Sequence, residues 1–346
     1  VYTSNGFQLL QMQITFIVKA STDIGYGHLI RSRSLANAIN ELLHKEDQIN
    51  FYVIGDEQLD NLLSKESFPF TIFSSEKSFL SQVSATDVGD IVIFDLLSVS
   101  DGLFERTQVA RWRISISPVF SHLSHVDTLF HRSRYFDGEA DGVEIIKGLD
   151  YSIIQKGCRK IDAAAYKRRL SEKRMSLAVS MGGGDAANKS LQVIEELNDL
   201  DLDFTVWVML GEGYRHSYDD LIESSKKSRH EIILAKTNES MWHVLSLVSL
   251  LILPGGLTTY EAAYAGLPTL NIVENGKQHQ LVRELLEEGV GAEVGGIISG
   301  GLVEKIGSDQ YAPAQNMHCA QYRPGHAPPG EISRFRREKP FSQVQF

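Results

Sequence analysis

The chain is poor in cysteine: Cys158 and Cys319 are the only two in 346 residues. That excludes a disulfide framework and a thiolate metal cluster, and makes a reducing cytoplasm the expected setting. Long apolar runs are lacking as well. None approaches the roughly 18 residues of a spanning helix, and the opening "VYTSNGFQLLQ" has neither the basic region nor the apolar stretch of a secretion signal. A basic excess is also missing. Lys and Arg number 34 against 44 Asp and Glu, a net charge of −10, which argues against a broad nucleic-acid-binding face. A small anion held by backbone donors remains compatible with that balance.

What is present is a globular composition, 42% hydrophobic and 23% charged, with length enough for two domains and a sizeable core. Short β-branched runs alternate with helical segments, the pattern of an α/β protein with parallel sheets. Strands are expected at 14–19, 50–55, 70–73, 90–95 and 113–117 in the first half, and at 176–181, 204–209, 231–235, 249–254 and 268–273 in the second. A helix is expected over 29–43, with Ile30, Ser34, Ala38 and Leu42 on one face. Others fall near 187–198, 215–227, 239–247, 257–265 and 278–288. Met12 followed by "QITFIVKA" reads as a natural start, so residues 1–11 are expected to be an extension. Domains are then 12–155 and 175–310, joined by a charged linker at 156–174. Segment 311–346 carries five of the nine prolines and no periodicity, which predicts a disordered or atypical tail.

Three glycine-rich turns follow strands, where ligands of open α/β sheets collect. In "STDIGYGHLIRSRS" (21–34), Gly25 and Gly27 permit close backbone approach, and His28 stands at a helix start. A neutral His28 there would accept a proton from water or a hydroxyl; the plain alternative is a tight turn with a surface histidine. In "SMGGGDAANKS" (180–190), Gly182, Gly183 and Gly184 free N–H groups for a phosphate, Asp185 can cap the next helix, and Asn188 and Lys189 can face an anion. The spacing is neither that of a dinucleotide fingerprint nor of a P-loop. In "PGGLTTYEAAYAGLP" (254–268), Thr258 or Thr259 can cap the helix carrying Glu261. That carboxylate either answers the helix dipole or accepts hydrogen bonds from ligand hydroxyls; the residues alone leave both open.

Taken in order, these motifs resemble the two-domain glycosyltransferase-B superfamily over about residues 12–295. Within it the chain is most similar to the UDP-sugar hydrolase of pseudaminic acid biosynthesis and to spore-coat polysaccharide proteins. The N-acetylglucosaminyltransferase that makes lipid II is a more distant relative. The resemblance implies two Rossmann-like domains with an interdomain cleft. It implies His28 as catalytic base, Gly182–Gly184 as the phosphate loop, and Gly256, Leu257 and Thr258 near phosphate. Glu261 would meet the ribose, while Gly27, Gln278 and His279 would lie near the sugar. "GLDYSIIQK" (148–156) resembles the crossing into the second domain. Two departures stand out. Ile17 and Lys19 replace an Arg and an Asp of the hydrolase, and Asp95-Leu96-Leu97 replaces its Asp-His-Tyr, leaving Asp95 as a second catalytic candidate.

The histidines of "HLSHVDTLFH" (His122, His125, His131) are close in sequence but fit a strand and its connection better than a zinc site. No D-x-D occurs, and neither metal nor cofactor is expected. Trp207 and Trp242 are expected in the core. The function read from all this is a cytoplasmic UDP-sugar hydrolase of bacterial surface polysaccharide or nonulosonic acid biosynthesis. The alternatives are a transferase acting on a glycan or lipid acceptor, for which peripheral membrane association is expected, and a non-catalytic nucleotide-sugar-binding protein.

Overall fold

The computed structural model describes residues 11–294, apart from 22–23, 57–58, 60–62, 64–66, 99, 237–240 and 274. Both termini, including most of the expected extension and the whole expected tail, lie outside the described residues. The chain forms two compact units. Among the described residues, the first holds those up to Ala20, with Leu35–Phe130 and Gly138–Ile146; the second holds Ser21–Ser34, His131–Asp137 and those from Lys147.

The first sheet is built from β1 (Gln13–Ala20), β2 (Gln48–Gly55), β3 (Phe70–Phe73), β4 (Ile91–Asp95), β5 (Trp112–Ser115), β6 (Thr128–His131) and β7 (Glu144–Lys147), in the order β3-β2-β1-β4-β5-β6-β7. Pairings from β3 through β6 are parallel. Helices α1 (Gly27–Asn40), α2 (Glu76–Gln82) and α3 (Asp101–Thr107) alternate with these strands. A parallel sheet needs cover on both faces, and every residue of β4 is buried accordingly. Phe16 of β1 stacks on Phe51 of β2 at 4.7 Å between ring centroids, and Phe51 on Phe70 at 4.6 Å. This aromatic column follows from in-register pairing of Phe16, Phe51 and Phe70.

The second sheet comprises β8 (Met175–Val179), β9 (Phe204–Leu210), β10 (Glu231–Lys236), β11 (Leu250–Leu253), β12 (Thr269–Ile272) and β13 (Gly291–Val294), in the order β10-β9-β8-β11-β12-β13. All its pairings are parallel. Around it run α4 (Ala163–Leu170), α5 (Lys189–Leu197), α6 (Tyr218–Lys227), α7 (Trp242–Leu245), α8 (Leu257–Ala265) and α9 (Gly276–Glu287). Helix α5 buries Val193, Ile194 and Leu197 on one stripe, the spacing a half-exposed helix requires. Helix α8 is buried almost all round; its alanines keep it thin enough to lie in the core.

The ten expected strands and the helices near 189–197, 218–227, 257–265 and 276–287 are present, with ends shifted by a few residues. Strands β6, β7 and β13 are present beyond the ten expected. The segment expected as a linker, 156–174, carries α4 and is bonded to the second unit. Ile161 N–H donates to Ala265 O at 2.9 Å, and the Tyr166 hydroxyl donates to Ser249 O at 2.8 Å. Arg169 reaches Val248 O at 2.9 Å. Its charged face is exposed, while Tyr166 is the one residue α4 buries.

Candidate functional site

In each sheet the strand order reverses beside the first strand of its half, and in such folds ligands bind at the carboxyl ends there. In the second unit that point lies between β8 and β11. The triple-glycine turn follows β8, and the turn 254–256 follows β11.

The turn after β8 is held by a dense set of bonds. Gly182 has φ +86°, Asp185 +45° and Asn188 +51°. Left-handed backbone is uncommon outside glycine and is tolerated best by Asp and Asn. The Asp185 carboxylate accepts from Lys189 N at 2.8 Å and Ser190 N at 2.9 Å, so it caps α5 from three residues before Asn188. Asn188, the residue at the helix boundary, makes no side-chain cap; its Oδ1 accepts from the Tyr214 hydroxyl at 2.8 Å. Gly183 is gripped from two sides. A Cβ there would stand 3.1 Å from Tyr26 Cδ2, and a Cβ on Gly211 would stand 2.5 Å from Gly183 O. Gly213 N–H also donates to Gly183 O at 2.9 Å. Gly211 and Tyr26 are thus parts of the loop's support that local pattern did not single out.

The turn after β11 is different. Gly255 has φ +75°, and a Cβ on it would meet Val282 at 3.0 Å; glycine is demanded by geometry. Gly256 precedes the first residue of α8 with φ −94° and ψ −152° and offers no side-chain cap. A Cβ on Gly256 would meet nothing within 4 Å. The expected caps, Thr258 and Thr259, do not cap, because the helix begins at Leu257 and carries both inside it. The Thr259 hydroxyl instead bonds Asn271 Oδ1 at 2.9 Å. The first-turn N–H groups of α8 therefore face no side-chain acceptor from a capping residue, the arrangement that favours an anion.

Glu261 is the fifth residue of α8 and is fully buried. Dipole stabilisation fades beyond the first turn, so the dipole reading does not explain it. Its carboxylate accepts from Gln155 Nε2 at 3.0 and 2.8 Å, from Gln155 N at 3.3 Å and from Trp242 Nε1 at 3.1 Å. Burial pushes its pKa up, and the bonds from Gln155 and Trp242 oppose that. The Cys158 thiol donates to Glu261 O at 3.2 Å. Trp242 is in the core as expected, but with its indole N–H committed to the carboxylate. Gln155 was visible only as part of "GLDYSIIQK".

His28 is the second residue of α1, after Gly27. Its Nδ1 lies 3.3 Å from Arg31 Nη2. The preceding Tyr26 is buried and touches Gly183, so the first and second glycine turns meet within the second unit. Gln278 stands in the first turn of α9, its N–H bonded to Asn275 Oδ1 at 3.0 Å. His279 Nδ1 lies 2.6 Å from Glu293 Oε2. Asp95 ends β4 in the first unit, fully buried and in register with Val18. There Lys19 pairs with Glu76 at 2.5 Å and donates to Ser98 O at 2.6 Å.

The three histidines do not form one cluster. His122 and His125 flank Phe104 in the first unit, and His131 stacks on Phe136 in the second. Among the described residues no group of three or more His, Cys, Asp or Glu is placed to hold a metal. No described helix is long and apolar enough to cross a membrane.

Two parallel Rossmann-like sheets define an α/β protein of glycosyltransferase-B fold. The chain is similar to MurG of Acinetobacter baumannii, with a TM-score of 0.61 and 13% identity over 90% of this chain and 94% of that one. It is also similar to HepE of Anabaena in complex with UDP and glucose, with a TM-score of 0.57 and 15% identity over 90% and 94%. An uncharacterized protein of Methanocaldococcus jannaschii is 23% identical over 289 residues, covering 80% of this chain and 59% of that protein. The chain thus spans about three fifths of that relative's length. No protein-family model matches.

Proposed function

We propose that this chain binds a UDP-sugar at the carboxyl edge of its second sheet and transfers the sugar to an acceptor, releasing UDP. Gly256 carries the argument. Neither backbone strain nor packing requires glycine there, and capping would favour Ser or Asp. Glycine caps within a few tenths of a kcal/mol of Ser, and its missing side chain leaves the backbone open to close approach of a ligand. The diphosphate then sits on the N–H groups of Leu257 and Thr258 and on Gly182–Gly184. Those donors stabilise negative charge as it develops on the leaving UDP. The acceptor oxygen bonds to the anomeric carbon, the bond from that carbon to the phosphate oxygen breaks, and the acceptor's proton is released.

Glu261 meets the ribose in this reading by exchange. A ribose hydroxyl is a donor, as is Gln155 Nε2, and takes its place on the carboxylate. Gln278 lies toward the sugar; His279, already paired with Glu293, is the weaker candidate. The likeness to a structure holding UDP and glucose supports the nucleotide class. Transfer is preferred to hydrolysis because the positions where the chain departs from the hydrolase pattern, Ile17, Lys19, Leu96 and Leu97, are those of the hydrolase's sugar side. Purified protein incubated with candidate UDP-sugars, with and without glycan or glycolipid acceptors, should release UDP only when acceptor is present. Release in water alone would restore the hydrolase, and failure to bind UDP would sink both.

A further inference from the structure

Strands β8 and β9 are parallel neighbours, so the turns that follow them leave the same edge of the sheet. The turn after β9, "GEGYRH" (211–216), runs beside the triple-glycine turn after β8 and grips two of its carbonyls. Gly213 N–H donates to Gly183 O at 2.9 Å. His216 Nε2 lies 2.8 Å from Asp185 O. A carbonyl oxygen only accepts, so Nε2 carries the hydrogen and donates. Asn188 N–H adds a second bond to Asp185 O at 2.8 Å.

Tyr214 holds the far end of the loop. Its hydroxyl donates to Asn188 Oδ1 at 2.8 Å, and its ring meets that of His216 edge-on, 5.4 Å between centroids. Burial, helped by Asp185, Tyr218 and Asp220, pushes the Tyr214 pKa up to about 12, so the hydroxyl keeps its proton. Asp185 and Asn188 are the loop's two non-glycine residues of left-handed backbone, a conformation that its surroundings must support. The turn after β9 supplies that support to both.

A carbonyl tied on one side aims a donor to the other. In a planar trans peptide the C=O of one residue and the N–H of the next point in opposite directions, and no described peptide is cis. With the Gly183 and Asp185 carbonyls turned toward 211–216, the N–H groups of Gly184 and Ala186 face away from β9. In the order β10-β9-β8-β11 that is the side of β11, whose following turn leads into α8. Among the described residues no backbone carbonyl takes either N–H. We infer that Tyr214 and His216 are positioning residues, which aim the Gly184 and Ala186 N–H groups at the diphosphate by holding Asn188 and the Asp185 carbonyl. The assignment rests on the UDP-sugar reading and adds Ala186 to its phosphate donors. Both side chains act through the loop and not on the ligand.

Uridine separates this role from a merely structural one, because it has the base and ribose of UDP but no phosphate. Affinities for UDP and uridine are measured by titration of wild type, Tyr214→Phe, His216→Phe and His216→Gln. Tyr214→Phe removes the hydroxyl and keeps the ring; His216→Gln keeps an N–H near the place of Nε2, which His216→Phe loses. Tyr214→Phe and His216→Phe should each lose about tenfold in UDP affinity, as for a hydrogen bond to a charged group, and none in uridine affinity. His216→Gln should stay within a few-fold of wild type for both. Equal losses for UDP and uridine, or UDP binding unchanged in every variant, would overturn the assignment and leave the UDP-sugar reading standing. Should a variant fail to fold, or uridine bind too weakly to measure, amide spectra of nitrogen-15-labelled wild-type protein decide. UDP should shift the Gly184 and Ala186 N–H signals and uridine should not; signals that UDP leaves in place would overturn the assignment. Wild-type protein that binds neither compound would remove the UDP-sugar reading and the assignment with it.

Discussion

The sharpest prediction opposes two glycines that look alike in sequence. Gly211→Ala places a methyl 2.5 Å from Gly183 O, 2.6 Å from its Cα and 2.8 Å from its C, where ordinary contact begins at 3.4 Å. All three are backbone atoms and cannot rotate away, so the two turns must part by up to about 0.9 Å, from 3.4 less 2.5. The Gly213 N–Gly183 O bond at 2.9 Å then stretches past hydrogen-bonding distance. Overpacking costs about 1–3 kcal/mol and the lost bond about 1 kcal/mol. The melting temperature should fall on the order of 10 °C, and UDP affinity should fall because the displaced loop is the one proposed to hold phosphate. Gly256→Ser reverses the pattern. Its side chain meets nothing in the protein, its backbone is extended, and Ser is a slightly better cap than Gly by a few tenths of a kcal/mol. Its melting temperature should hold or rise, while UDP binding weakens by about tenfold or more, roughly 1.4 kcal/mol, because the side chain intrudes where phosphate reaches the N–H groups. Thermal denaturation and calorimetric UDP titration of both variants provide the check. Gly256→Ser binding UDP like wild type would refute the ligand argument; Gly211→Ala melting like wild type would refute the packing argument.

The remaining predictions concern buried titratable groups. Glu261→Ala should weaken UDP binding by about 1.5–3 kcal/mol, and Gln155→Leu should tighten it by removing the internal donor that ribose must displace; equal affinities in a titration series would leave Glu261 a purely structural carboxylate. Glu261 also links stability to pH: because burial raises its pKa above the ordinary 4.5, its stabilisation is full below that pH and is lost as pH rises through the folded value. Denaturant titrations between pH 4 and 8 should show that loss in wild type and not in Glu261→Ala. His131 runs the opposite way. Burial, helped by Arg132, Arg31 and Lys147, lowers its pKa from 6.5 to about 4, so its contribution is full above pH 6.5 and falls as pH drops through about 4, by about 3 kcal/mol. His131→Asn, with an acceptor to replace Nδ1 toward the Ser133 N–H at 3.2 Å, should flatten that limb of the stability–pH curve; an unchanged slope would show that other groups set it.

Much of the fold was legible because the period of apolar residues changes between strand and helix, and each parallel strand reads as a continuous apolar run. What was missed depends on partners distant in sequence. Strand β13 reads "GAEV", poor strand composition, but a Cβ on Gly291 would lie 2.3 Å from Thr269 Oγ1, so glycine belongs there for a tertiary reason. Glu261 was legible as an odd carboxylate among alanines. Its donors Gln155 and Trp242 lie 106 and 19 residues away, and no local period connects them.

Glycines show most clearly where sequence reading stops and geometry must begin. In the string, Gly183, Gly211, Gly255 and Gly256 are equivalent punctuation after strands. In space they have three different causes. Gly255 answers a left-handed backbone pressed against Val282, and Gly183 and Gly211 answer close contact between two turns. Gly256 answers neither demand. A capping side chain would gain only a few tenths of a kcal/mol there, so neither strain, packing nor capping decides the residue. In the proposed function an anion resting on the N–H groups of α8 takes advantage of that bare backbone, and Gly256 is the one of the four whose glycine the proposal ties to a ligand.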